Sequence, residues 1–195
     1  MSIEWVSTIG SLLTVLIVGA TAIAALVQLR HMRAGNQINA ILTIGEKFMD
    51  PRFEDARALV TAGLEQALQD PRFRAYVIAR ASRNAMPGIS DEQLAMLRAV
   101  NLVGNLFEEI GNLVKNGIVD EYLLLDEYVT QVIGMWNRLE PYTALTRDVT
   151  GDMGLWDNFE YLTVRARAFI AAHPTTYPKG VARIPLTNPW PQEKR

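Results

Sequence analysis

An arginine and a histidine held together can act on a phosphodiester. The cation stabilises developing charge and the imidazole moves a proton. Arg167 and His173, with Arg165 beside them, are the weak catalytic candidates of this chain. Glu108 and Glu109 form a second candidate, as an acid or as metal ligands. Around them Met96, Val100, Val103, Phe107, Ile110 and Val114 make a core stripe at heptad spacing, and Asn101, Asn105, Glu108, Asn112 and Lys115 line another face. Glu109 falls among Leu102, Leu106 and Leu113, so it is expected to be partly buried and to need a cation. Arg98, Arg138 and Arg147 could serve, and a buried Glu109–Arg147 ion pair is the expectation carried forward. No second ligand cluster accompanies the glutamates, so no metal and no cofactor are expected.

Other chemistries lack their residues. The chain has no cysteine, which removes disulfides, thiolate zinc sites, iron–sulfur ligation and a thiol nucleophile. Its two histidines, His31 and His173, form no HExxH or ExxH pair. There is no P-loop, no GxGxxG and no serine in a GxSxG turn. Trp136, Leu139 and Tyr142 around Pro141, and Trp156, Phe159 and Leu162 further on, have the spacing of core aromatics rather than of a ligand cage. The expectation is a protein that is not an enzyme.

The elements that would position these residues begin with a membrane span. Trp5 to Leu29 carries no charge over 25 residues, about 37 Å of helix against a hydrocarbon layer of about 30 Å. A signal peptide would need a basic start and a shorter apolar run, whereas this start holds Glu4. Arg30, His31 and Arg33 follow the run. The positive-inside rule then sets the N-terminus outside and the rest in the cytoplasm, at the inner membrane, with Trp5 at the outer interface. The formal net charge of −2 offers no field for nucleic acid, so no DNA is expected and RNA is a remote partner.

Beyond the span every pattern is helical, and the fold class expected is all-α. Helix 1 is expected over about residues 5–49, continuous or bent near Gly35. Asp50-Pro51-Arg52-Phe53 recurs as Asp70-Pro71-Arg72-Phe73, which reads as two capped helix starts. Ser90-Asp91-Glu92-Gln93 is a capping box, and Gly117 is a left-handed stop. Asp120 opens a helix expected to end at Glu140 before Pro141, with a short helix after it. A last helix covers 155–173, and five of the nine prolines lie from Pro174 onward. The domains expected are 1–29, the outer N-terminus and span; 30–173, a cytoplasmic bundle of about five or six helices; and 174–195, an irregular proline-rich tail.

The span carries a stripe of its own. Ser7, Ser11, Thr14, Val18, Thr21, Ala25 and Gln28 follow each other at 4-3-4-3-4-3, one seam of a left-handed helix packing. Small and hydroxylated residues let helices approach closely in lipid, while Leu12, Leu13, Leu16 and Ile23 suit the lipid itself. The seam can pack against another helix or line a pore. The plainer alternative is that the hydroxyls bond their own helix carbonyls.

Asn105-Leu-Phe-Glu-Glu-Ile-Gly111, Trp136-Asn-Arg-Leu-Glu-Pro141 and Trp156-Asp-Asn-Phe-Glu-Tyr-Leu162 resemble, in order and spacing, a bacterial family of uncharacterised single-span membrane proteins. That resemblance implies an architecture and no activity. The layout is also distantly similar to the pore-forming membrane accessory protein of RNA-targeting CRISPR systems. Arg167-Ala-Phe-Ile-Ala-Ala-His173 resembles the R-x(4–6)-H pattern of HEPN ribonucleases, with Ala168 where that pattern usually has a polar residue. Three readings follow: a self-associating membrane protein, such as a pore-forming or defence effector; a non-catalytic accessory or scaffold subunit of a larger membrane complex; and a divergent HEPN-like ribonuclease. The partners expected are membrane lipid and either further copies or a membrane complex.

Overall fold

One helix, α1 (Ile3–Phe48), runs without a break through the apolar stretch and on into the domain. The computed structural model describes residues 3–190; the side chains of Trp5 and Ser7 lie outside the described residues. With no proline in α1, Gly35 is the main local weakness, and a helical glycine costs only about 1 kcal/mol against alanine. The helix keeps its continuity there.

Helices α2 (Pro51–Gln69) and α3 (Pro71–Ala81) start as the repeat predicts. Asp50 accepts from the Arg52 amide and Asp70 from the Arg72 amide, both at 2.8 Å, with proline at the first helical position. The Arg52 guanidinium and amide, donating to Asp50, hold its carboxyl below the usual 3.8. A depressed carboxylate stabilises the fold above its unfolded pKa, and that contribution is lost as pH falls through the folded value. Asp50→Ala is therefore expected to lower the Tm by a few degrees at neutral pH, with the gap to wild type narrowing below about pH 3.8 in thermal melts. A gap that widens in acid would contradict this role for Asp50.

Helix α4 (Asp91–Lys115) opens on the Ser90–Gln93 capping box and stops at Gly117, whose φ of 67° is left-handed. Helix α5 (Glu121–Thr150) corrects one expectation: it does not end before Pro141 but runs through it to Gly151. Trp136, Leu139, Tyr142 and Thr143 are buried on both sides of the proline. Their burial outweighs a kink penalty of about 3 kcal/mol. Helix α6 (Asp157–Ala172) closes the bundle, and residues 174–190 hold no helix or strand.

Directions follow from the contacts. Lys47 meets Glu109, and Ala40 lines the same crevice as Leu113, so α4 runs antiparallel to the end of α1. Tyr142 faces Trp156, Trp136 faces Phe159 and Tyr122 faces Phe169, so α5 and α6 are antiparallel. The α4 C-terminus, the α5 N-terminus and the α6 C-terminus therefore share the end of the bundle that looks back along α1. The core runs through Phe53, Phe107 and Phe159, with Phe107 and Phe159 stacked at 4.6 Å.

Candidate functional site

Helix α1 is the one helix among the described residues that is long and apolar enough to cross a membrane, and none of its most apolar window is covered by the rest of the chain. Leu16, for example, stays 68% exposed. The helix docks on the bundle only near its end. Ile44 is buried, and Gln37, Ala40, Ile41 and Phe48 are half-buried on the same face. Phe48 stacks on Tyr128 at 4.6 Å, and Lys47 donates to both oxygens of Glu109 at 2.7 Å.

The opposite face stays open. Continuing the 4-3 spacing from Gln28 gives Met32, Gly35, Asn39 and Leu42, all exposed. The stripe thus leaves the apolar stretch and follows α1 towards the bundle, and none of its described side chains is occluded by the chain's own domain. Within it the Thr14 hydroxyl donates to the Gly10 carbonyl at 2.9 Å, and that of Thr21 to Ile17 at 2.7 Å. Ser11, Val18, Ala25 and Gln28 are exposed beside them, and Ser7 has its side chain outside the described residues.

The later motifs converge on a joint between α4 and α6. Trp156 sits at the α6 N-cap with a φ of 56°, a left-handed conformation unusual for a bulky residue, and it has no side-chain cap of its own. Glu108 supplies the missing cap from α4: one oxygen accepts from the Phe159 amide at 2.9 Å, the other from the Asn158 side chain at 2.6 Å. Its negative charge also suits a helix N-terminus. The Trp156 indole donates to Asn105 at 3.0 Å and packs over Gly104, while the Asn158 carbonyl lies against Gly111. A Cβ at either glycine would overlap its neighbour. Spacing along α4 sets Asn105 and Glu108 on a polar face and does not by itself reveal this joint. The signal available was the pairing of small Gly104 and Gly111 around Glu108 on one helix.

The expected Glu109–Arg147 pair does not form. Glu109 takes Lys47, in an ion pair that is not buried, because its position on α4 faces the α1 end rather than α5. Arg147, only 10% exposed, pairs with Glu160 at 2.6 Å and donates twice to the Leu155 carbonyl, closing the α5–α6 turn. Arg167 donates to Asn137 at 2.9 Å, and His173 caps α6 against Phe169 and Tyr122. Arg165 is held by both oxygens of Glu121, which raises its pKa further above the usual arginine value. Each of these three side chains has a structural partner. Among the described residues no group of three or more histidine, aspartate and glutamate side chains could hold a metal. A groove of about 830 Å³ between α2 and α5 carries Glu54, Glu127, Arg57 and Arg138, charges of both signs.

The family described as Domain of unknown function (DUF4760) has a model that matches residues 15–166. That range takes in most of the apolar helix and the bundle almost to the end of α6. No curated protein and no solved structure matches the chain.

Proposed function

The chain belongs to the DUF4760 family, whose description assigns no activity, and from its geometry we propose a single-pass membrane protein that self-associates along one face of α1. The observation that carries the reading is the uncovered apolar length of α1. Leaving it in water would forfeit roughly 25 cal/mol for each Å² of apolar surface, so lipid or protein must cover it. Arg30, His31 and Arg33 favour the bundle on the cytoplasmic face of an inner membrane.

Self-association draws on two features. The seam is small and hydroxylated where lipid surrounds it, which permits close backbone approach. It then continues through Met32, Gly35, Asn39 and Leu42, exposed on the face turned away from the bundle and so free for a parallel copy. Asn39 falls at an a position of the heptads, where a polar residue sets register. The Thr14 and Thr21 hydroxyls are already satisfied within their helix, which favours a dry packed seam over a water-lined ring. On this reading the bundle is a non-catalytic module.

Because the chain has no cysteine, single thiols report the seam directly. Leu42→Cys is expected to form disulfide-linked dimers when isolated native membranes are treated with copper phenanthroline as oxidant, and Ala34→Cys, on another face, is not. Adding Ser11→Leu and Thr14→Leu should cut the Leu42→Cys yield several-fold at unchanged membrane content. A cross-link to a different protein would instead favour the accessory-subunit reading. Equal yields at both positions would remove the seam.

A further inference from the structure

The segment after α6 carries the most exposed large apolar side chains among the described residues. Ile184, Leu186 and Trp190 are 81%, 92% and 81% exposed. Pro185 and Pro189 keep them out of a helix that could turn them inward. The described hydrogen bonds of residues 175–190 stay within the segment. It is nevertheless shaped. Pro178–Val181 forms a turn with Gly180 at a φ of 82°, the Tyr177 hydroxyl donates to Ala182 at 3.2 Å, and Arg183 lies 4.3 Å over the Tyr177 ring. Lys179 stands in that turn, and residues 174–190 carry no acidic side chain.

Where the segment leaves the bundle decides its neighbour. The His173 ring packs edge-on against Tyr122 in the first turn of α5, at the end of the bundle that looks back along α1. From Ala40, level with that end, α1 descends about 15 Å to Arg30. Ile184–Trp190 alone can span about 20 Å when extended. The exposed apolar residues, two aromatic rings with polar edges and two cations match the interfacial layer of an anionic bilayer, where tryptophan and tyrosine collect and cations are drawn to the headgroups.

We propose that residues 177–190 lie on the surface of the membrane that α1 crosses, with Ile184, Leu186 and Trp190 in the interfacial layer and Lys179 and Arg183 against anionic headgroups. The proposal rests on the reading of α1 as a span. It gives the bundle a second attachment and so fixes its tilt over the membrane.

The test uses the full chain with one spin-labelled thiol, at Leu186→Cys or, as a reference, Leu16→Cys. The protein is reconstituted in vesicles of phosphatidylcholine with phosphatidylglycerol, or of phosphatidylcholine alone. With phosphatidylglycerol present, the Leu186 label should be several-fold less accessible to a water-soluble relaxation agent than in phosphatidylcholine, and reachable by oxygen from the lipid. Lys179→Glu with Arg183→Glu should abolish that protection. A Leu186 label fully aqueous in both vesicles, with the Leu16 label in lipid, overturns the proposal and leaves the span standing. Both labels aqueous overturns the span and the proposal with it. Strong dipolar broadening between Leu186 labels, without access from the lipid, means that a second copy covers the segment and also overturns the proposal.

Discussion

Gly111→Ala is expected to lower stability by about 2–3 kcal/mol, although alanine is the better helix former by about 1 kcal/mol. The added methyl would overlap the backbone carbonyl of Asn158, which is fixed by the α6 start and cannot swing aside as a side chain can. The two helices must part, and Glu108 then loses its grip on the Asn158 side chain and the Phe159 amide. For a domain of this size the loss corresponds to a fall in Tm of roughly 5–10 °C. Gly134→Ala on α5 is the control: the nearest atom to its Cβ is a flexible Arg138 nitrogen at 3.8 Å, so the same substitution should be neutral or stabilising there. Urea melts of the two variants check both signs. Equal effects would mean that α4 and α6 do not touch at Gly111.

Glu108→Ala carries the second large effect, about 2–3 kcal/mol, because a charge-assisted acceptor is withdrawn from a helix start with no cap of its own. Trp156 would be left to hold its left-handed backbone without the clamp beside it. Glu108→Gln keeps one carbonyl oxygen for the Phe159 amide but turns an NH2 towards the NH2 of Asn158, so about half of the loss is expected. Amide exchange should quicken first at Phe159 and Glu160. Uniform acceleration across the bundle, with α6 unexceptional, would contradict the assignment of Glu108 as the cap of that helix.

These two positions also mark where reading the sequence ran short. Asp50, Asp70, Ser90 and Gly117 were legible because a cap is settled by residues within four of each other. The long apolar helix was legible because an uninterrupted apolar run of that length shows in the residues themselves. Pro141 misled because local propensity forbids what the burial of Leu139 and Tyr142 enforces. Glu109 found Lys47 rather than Arg147 because ion-pair partners are chosen by the packing of α4 on α1, which spacing along one helix does not encode. Glu108 looked like part of a solvated face, since its partners lie 50 residues and more away. The 4-3 stripe of small and hydroxylated residues was legible within the apolar stretch. Its continuation to Leu42 needed the structure, which shows which face of α1 the bundle leaves free.

The central claim is that α1 brings copies of this chain together in a membrane. Its most direct test is the protein mass of the detergent-extracted particle, by size exclusion with light scattering corrected for bound detergent. A particle of defined mass at a multiple of the 21.8 kDa chain is expected, reduced to one chain by Ser11→Leu with Thr14→Leu. A wild-type particle containing a single chain, or one chain beside a different protein, would contradict it.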